Sequence, residues 1–302
     1  MIRLDAATVL LQWATGGLAF LWVTTRRREV GIGYGWLMRI VFGLLAAGSV
    51  VAGRLVRPDA GRDALAAAVV AATIVALVVS VVRRKAGVAG ERARRERKAA
   101  RVAAMVAGDS PAPSSAPTSR STEGAVARAT AGGDDAPAEF PPALDLVAPA
   151  LGVVGLVAAA LADGGPHLLA VARTLVGAAF LGSVTDAMLL GHWYLVQPGL
   201  GRAPLFELNR WLGWVWPAEV AVLLWPTGMV SVLMGTVDDG WHGTLGWFWV
   251  ACALATVALV GVTHAALKEK SYSAVMAATG LLYLAILTAF GTDLVARAVL
   301  AR

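Results

Sequence analysis

Cysteine and charge are both scarce in this chain. Its 302 residues include one cysteine, Cys252, which cannot form an intrachain disulfide framework. A single thiol also excludes zinc and iron–sulfur sites built from several cysteines. Charged residues make up only 15% of the sequence, whereas 58% of the residues are hydrophobic. These shortages describe an apolar protein without a cysteine-based cofactor site.

The sequence also lacks the regular alternation of polar and apolar residues that a transmembrane β-barrel requires. Its apolar residues instead form long runs of about 20, which is the length of a helix that crosses a bilayer. Backbone N–H and C=O groups must be paired inside lipid, and a helix pairs them within one segment. The sequence therefore predicts an all-α fold, a polytopic integral membrane helical bundle.

The apolar runs predict about eight transmembrane helices in two membrane units. A three-span unit covers 1–85 and a five-span unit, which contains the candidate site, covers 143–302. Between them, 86–142 joins a basic helix to a stretch rich in Pro, Ala, Ser and Gly, which buries too little apolar surface to fold and predicts a disordered cytoplasmic linker. The predicted spans are 5–24, 36–54, 63–82, 143–162, 168–194, 212–235, 244–266 and 273–293.

Basic residues next to the spans predict the orientation. Three arginines, residues 26–28, follow the first span, and further basic residues follow the third, fifth and seventh. Loops rich in Lys and Arg remain in the cytoplasm, so both chain termini are expected outside. The first span has only Arg3 before it and is expected to remain as an anchor. The prediction is a multi-pass protein of the cell inner membrane, of the bacterial type.

The net charge of +6 does not indicate nucleic-acid binding. The basic clusters lie beside membrane spans and lack interleaved aromatic residues or a recognisable binding fold. The basic stretch 91–105 is explained by orientation, and it can also attract anionic lipid or dock a cytoplasmic partner. The predicted partners are thus the bilayer, other subunits of a membrane complex and a ligand of the basic linker.

Two acidic residues fall inside predicted spans. Asp186 precedes His192 by six residues in the fifth span, or about 9 Å along a helix, and Glu219 lies a similar distance into the predicted sixth span. Ionisable groups at such depths face the protein interior or water. We expect Asp186 and Glu219 to lie at one level near the cytoplasmic side, where they can handle protons or pair with Arg210.

Four histidines lie near the ends of two spans. His192 and His264 fall at the predicted cytoplasmic ends of the fifth and seventh spans, where they can face each other as axial ligands of haem b. Trp193 and Tyr194 follow His192 and can form aromatic walls around a quinone ring. These aromatic residues are equally typical of a membrane-interface belt.

The remaining polar residues of the spans and loops give weaker functional predictions. His167 and His242 lie near external loops with Asp238 and Asp239, but the sequence has no HExxH motif, and no metal site is predicted. Arg39 and Arg173 lie near span ends, where long side chains can extend to the headgroups. Pro217 and Pro226 interrupt the sixth span on either side of Glu219, and such broken helices can line a cavity.

Three functions remain open from the sequence, and none identifies a reaction. The first is a redox-associated membrane subunit or assembly component that binds quinone or haem b at the cytoplasmic side. The second is a proton- or ion-coupled transporter, in which Asp186 and Glu219 bind the coupling ion. The third is a noncatalytic membrane scaffold that recruits a partner through the basic linker.

Overall fold

The structure, a computed structural model, describes residues 5–86, 96, 100, 139–162, 166–197, 200–225 and 228–301. Within these ranges every regular element is a helix. Short 3-10 turns follow the third α-helix (Arg83–Ala86) and precede the fourth (Pro142–Leu146). The α-helices are α1 (Ala6–Thr25), α2 (Ile32–Val56), α3 (Ala60–Val82), α4 (Val147–Ala162), α5 (His167–Val196), α6 (Ala203–Leu224), α7 (Met229–Leu233), α8 (Thr244–Lys268) and α9 (Tyr272–Leu300).

Among the residues that the structure describes, seven helices are long and apolar enough to cross a membrane, judged by length and composition. They are α1, α2, α3, α4, α5, α8 and α9, where α3 and α4 include their neighbouring 3-10 turns. The predicted all-α membrane bundle is thereby confirmed. We call the end of the bundle that carries Arg26, Arg27 and Arg28 the inner end, after the predicted orientation, and the opposite end the outer end.

The sixth predicted span, 212–235, differs from the structure. The helix begins nine residues earlier, at Ala203, because its polar first turns are helical although they are not apolar. It continues through Pro217 and ends at Leu224, and Trp225 is extended with φ −125° and ψ 151°. In the sequence Trp225 precedes a proline, which disfavours helical backbone in the residue before it. The short helix α7 follows instead of a continuous span.

Helices α1 and α5 form the centre of the bundle. Helix α1 packs against α2, α4 and α5, and α5 also packs against α6 and α9. The two central helices cross where Gly16 meets Ala178 and Gly182, and a Cβ on Gly16 would lie only 1.7 Å from the Ala178 carbonyl oxygen. The predicted three-span and five-span units are therefore in direct contact through α1.

Side chains at the two bundle ends fix the helix termini. At the outer end, Asp5 accepts hydrogen bonds from the backbone N–H (3.1 Å) and the hydroxyl (2.7 Å) of Thr8, and it also pairs with Arg62 of α3. At the inner end, Arg39 of α2 binds Asp145 with two hydrogen bonds, of 2.8 and 2.7 Å. Arg39 is 3% exposed, so the prediction that it extends to the headgroups is wrong: a buried carboxylate holds it inside.

Most of the predicted linker, 86–142, lies outside the described residues. The described part at its end returns to the inner end of the bundle, where Glu139 pairs with Arg28 at 2.6 Å. The side chain of Arg83 donates to the Glu139 carbonyl at 3.0 Å. These contacts attach the end of the predicted linker to the inner ends of α1 and α3.

Candidate buried charge cluster

Five polar side chains from four helices converge in the outer half of the bundle. They are Gln12 of α1, Arg173 of α5, Glu219 of α6, and Asp293 and Arg297 of α9, and none is more than 4% exposed. We call these five residues the outer cluster. Ionisable groups at this depth are costly in an apolar environment unless they interact with one another, so their convergence is the main functional feature of the fold.

The contacts within the outer cluster are specific. Arg297 Nε donates to Asp293 Oδ2 at 2.8 Å, one turn apart on α9. The Glu219 carboxyl group lies within hydrogen-bonding reach of the Asp293 carboxyl group. Arg173 and Arg297 are both close enough to Glu219 to interact with it electrostatically. Two carboxyl groups thus lie next to each other within interaction range of two guanidinium groups.

Gly177 of α5 makes the space that the outer cluster occupies. A Cβ at this position would lie 2.2 Å from Gln12 Nε2, 2.9 Å from Asp293 Oδ1 and 3.0 Å from Arg297 Nη2. A side chain at this position would collide with Gln12 and Asp293 and would crowd Arg297. The glycine therefore allows polar groups from α1 and α9 to meet against the backbone of α5.

Several buried polar atoms of the outer cluster make no hydrogen bond with any residue that the structure describes. Both oxygens of Glu219 and Oδ1 of Asp293 receive no hydrogen bond from a donor among the described residues. Gln12 Nε2 and Oε1, Arg173 Nη2 and Arg297 Nη2 are likewise unpartnered there. Buried polar atoms are nearly always hydrogen-bonded, and facing carboxyl oxygens bond to each other only when one carries a proton. The arrangement therefore suits a bound proton.

The outer cluster borders the break between α6 and α7. Arg173 Nε donates to the Val222 carbonyl at 2.7 Å, which satisfies one of the free carbonyl groups at the end of α6. Gly228 also lies against the end of α6, since a Cβ on it would lie 1.9 Å from the Leu223 carbonyl oxygen and 3.0 Å from Arg173 Nη2. Arg173 thus links the cluster to the helix break and, contrary to prediction, does not extend to the headgroups.

The level predicted for Glu219 is wrong, because α6 begins earlier than expected. Glu219 lies sixteen residues after Ala203, about 24 Å from the inner end of the helix. Asp186 lies ten residues before the inner end of α5, and about 13 Å along that helix from Gly177 beside the outer cluster. The two carboxyl groups therefore occupy different halves of the bundle.

Asp186 is a separate buried carboxyl group. It is fully buried, and neither oxygen receives a hydrogen bond from the described residues. It shares a helix face with Ala178 and Gly182, which meet α1, and Tyr34 of α2 is close enough to interact with it electrostatically. The expected partner Arg210 makes no ion pair with it, as Arg210 lines an exposed cleft at the inner end.

His192 and His264 contact different helices. His192 is exposed, and its Nδ1 lies 3.1 Å from the Tyr283 hydroxyl of α9. His264 of α8 packs edge-on against Phe206 of α6, with ring centroids 5.5 Å apart. Among the described contacts none joins the two imidazoles or brings both to one shared ligand position.

Trp193 and Tyr194 make contacts near the inner loops. Trp193 Nε1 donates to Gln197 Oε1 at 3.1 Å, and its ring packs beside Tyr34 with centroids 6.1 Å apart. The Tyr194 hydroxyl donates to the Gly201 carbonyl and so connects α5 to the start of α6. These bonds hold the loop between α5 and α6. Quinone binding by the two residues stays a prediction.

The loop before α8 is organised by Asp239. Its carboxylate accepts backbone N–H bonds from Trp241, Gly243 and Leu245 at 2.8–2.9 Å and from Gly246 at 3.4 Å. Burial alone would raise the pKa of Asp239, but these four donors outweigh it and lower the pKa below its ordinary value of 3.8. The carboxylate thereby caps the N-terminus of α8.

We expect the loop before α8 to lose order when Asp239 loses its charge. Since the folded-state pKa is lowered, the stabilisation is present above pH 3.8 and disappears as the pH falls through the lowered value. Asp239→Ala should remove it at every pH. Hydrogen exchange of residues 240–246, corrected for the intrinsic rate, measures this. Asp238→Ala is the control, because among the described residues Asp238 accepts only the Gly240 N–H, and equal exchange of residues 241–246 in both variants would contradict the capping role.

Sequence reasoning missed most of the outer cluster. Asp293 and Arg297 are four positions apart at the end of the last predicted span, and this spacing of opposite charges was the available signal. Gln12 and Gly177 gave no signal, because their role depends on the packing of α1 against α5. Among the described residues no group of three or more His, Cys, Asp or Glu side chains is placed to hold a metal ion.

No family model, curated protein or solved structure matches the chain.

Proposed function

We propose that the protein is a proton-coupled membrane transporter in which Glu219 and Asp293 form the proton-binding pair. One observation carries this proposal: two buried carboxyl groups face each other in the outer half of the bundle without a donor between them. Carboxyl groups inside membrane helices are typical of proton relays in pumps and transporters. This is the second of the functions that the sequence left open.

The charges of the outer cluster favour a proton over a metal cation. The two guanidinium groups of Arg173 and Arg297 balance the two carboxylates, so the cluster is neutral when both acids are ionised. A metal ion would add its charge beside two arginines in a medium of low dielectric constant, where repulsion is strong. A proton also adds one charge, but it bonds directly to a carboxyl oxygen, needs no further ligands and supplies the missing hydrogen bond between the carboxyl groups.

Each cluster residue has a separate part in this proposal. Arg297 orients Asp293 through the 2.8 Å bond, and Glu219 receives the proton opposite it. Arg173 contacts both the cluster, electrostatically, and the end of α6, through the Val222 carbonyl. Protonation changes the cluster from neutral to +1 and so changes the force on Arg173. The α6–α7 break is the element that this change would move.

Asp186 supplies a second proton site towards the inner end. It is fully buried and unpartnered among the described residues, and it lies on the same helix as Arg173. A proton that enters at the outer cluster would need such a group to continue through the bundle. Tyr34 of α2 interacts with it electrostatically and is the neighbouring group that can exchange a proton with it.

Proton flux into proteoliposomes tests the proposed function. A potassium diffusion potential drives the flux, and a pH-sensitive dye inside the vesicles reports it. We expect Glu219→Gln and Asp293→Asn to lower the rate about tenfold or more, which is the effect of removing a proton-transfer group. Glu269→Gln makes the same chemical change at an exposed inner loop and should keep the wild-type rate. Wild-type flux in Glu219→Gln would leave the cluster with a structural role.

Infrared difference spectroscopy tests the proton site without a transported solute. A pH jump on the purified protein should show the C=O band of a protonated carboxyl group, and Glu219→Gln should remove that band. Glu269→Gln should retain it. A band unchanged in Glu219→Gln and Asp293→Asn would place the proton elsewhere, with Asp186→Asn as the next variant.

The redox alternative draws less support from the fold. It depends on His192 and His264, which contact α9 and α6 respectively, and on Trp193 and Tyr194, which bond to the α5–α6 loop. A reduced-minus-oxidised absorbance spectrum of protein from haem-replete cells tests for haem b. The scaffold alternative depends on the basic linker, which lies mostly outside the described residues. A location in the inner membrane of a bacterial cell remains part of the proposal.

A further inference from the structure

A cleft opens at the inner end of the bundle between α1 and α6. Its volume is about 540 Å³, and its polar wall consists of Arg27, Glu207 and Arg210. Its apolar wall consists of Phe206, Trp211 and Trp214. Cavities of this size accommodate a small molecule or the polar part of a larger one. The outer cluster is not part of this cleft.

The polar wall of the cleft is positively charged. Glu207 pairs with Arg26 and, at 3.3 Å, with Arg27, so one carboxylate serves two guanidinium groups. Arg210 is exposed and makes no hydrogen bond or ion pair with any residue that the structure describes. The lining residues Arg27 and Arg210 against Glu207 leave a net charge of +1, and Arg26, which pairs with Glu207 beside the cleft, raises it to +2. A phosphate group, which guanidinium forks bind with two parallel hydrogen bonds, complements this charge.

The apolar wall extends from the arginines along the lipid-facing side of α6. Trp211 is 42% exposed and Trp214 is 70% exposed, although both are large aromatic residues. Trp214 lies eleven residues after the start of α6, about 16 Å from the inner end. This depth is beyond the headgroups and within reach of acyl chains. A ligand that fits both walls has an anionic phosphate and a hydrocarbon tail.

We infer that this cleft binds an anionic phospholipid of the inner leaflet. The phosphate contacts Arg27 and Arg210, and the glycerol and first acyl carbons lie against Trp211 and Trp214. Free phosphate satisfies only the polar wall and leaves the tryptophans unused. This site is separate from the predicted attraction of lipid to the basic linker, and it does not depend on the transport proposal.

Native mass spectrometry of the full chain in neutral detergent tests the lipid site. The protein is titrated with phosphatidylglycerol and with phosphatidylcholine that has the same acyl chains. We expect the wild-type protein to bind phosphatidylglycerol more tightly than phosphatidylcholine. The Arg27→Gln/Arg210→Gln double variant should lose about tenfold or more of the affinity for phosphatidylglycerol, because each basic residue near a lipid phosphate adds to the electrostatic attraction. Lys268→Gln/Lys270→Gln removes two exposed charges near the same end and is the matched control.

A second variant keeps the test independent of folding. Trp214→Ala changes a mainly exposed side chain. It should weaken the binding of phosphatidylglycerol and leave the circular dichroism spectrum unchanged. Three results would overturn the lipid site: equal affinity for the two lipids, an equal loss in the lysine control, or no loss in Trp214→Ala. Displacement of the lipid by inorganic phosphate at the same concentration would assign the arginines to a soluble anion instead.

Discussion

Replacing Arg297 with glutamine should destabilise the protein by about 3–5 kcal/mol, the usual cost of removing one partner of a buried ion pair. Arg297 is 1% exposed and Asp293 is fully buried, so water cannot replace the guanidinium group. The variant leaves two facing carboxyl groups near one remaining arginine, Arg173. Thermal unfolding in detergent, followed by the fluorescence of the 11 tryptophans, measures the loss as a lower Tm.

A double variant and a matched control sharpen this measurement. Asp293→Asn/Arg297→Gln removes both charges and should recover much of the loss, because no uncompensated charge then remains. Arg54→Gln removes an exposed arginine at the outer end of α2 and should change the stability by less than about 0.5 kcal/mol. A loss in Arg297→Gln as small as that in Arg54→Gln would show that the pair is not coupled to folding.

Gly16→Val should separate the two central helices and cost about 3 kcal/mol or more, the upper range for overpacked sites. The first atom of any side chain on Gly16 would lie 1.7 Å from the Ala178 carbonyl oxygen and 2.6 Å from its carbonyl carbon. These are backbone atoms, so no rotamer change relieves the collision. The expected result is a lower Tm and a smaller folded fraction in size-exclusion chromatography.

Glycines elsewhere in the bundle give the control for this substitution. Gly261 of α8 and Gly280 of α9 have nothing within 4 Å of an added Cβ. Gly261→Ala should be neutral or stabilise its helix, because alanine has a higher helix propensity by about 1 kcal/mol. If Gly16→Ala behaved like Gly261→Ala, the helices would not cross as closely as the structure describes. Separation of α1 from α5 would also move Gln12 away from the outer cluster.

The helical membrane fold could be predicted from the sequence because apolar runs of sufficient length permit few other structures in lipid. Seven of the predicted spans correspond to helices of spanning length. The bounds of the sixth predicted span differ from those of α6, because the first turns of α6 include the polar residues Glu207, Asn209 and Arg210 and still form a helix. Helix propensity and packing decided its start, and the break before α7 decided its end.

Partners across helices could not be predicted in the same way. A buried Asp186 and a buried Glu219 were expected from the cost of exposing charge to lipid, and both are fully buried. Their partners depended on the register of each helix, and the error in the start of α6 placed Glu219 in the wrong half. Arg173 illustrates the same limit, because a long side chain near a span end can extend outward or turn inward.

By itself, the sequence determined that this chain is a bundle of membrane helices with a few ionisable groups that must avoid lipid, since the hydrophobic effect and backbone pairing act on local composition. The tertiary structure alone decided which of those groups meet. Gly16 lets α1 approach α5, Gly177 leaves room beside it, and Glu219, Asp293 and Arg297 then come together from helices that are distant in sequence. Such convergence depends on the relative positions of whole helices, which no local pattern encodes.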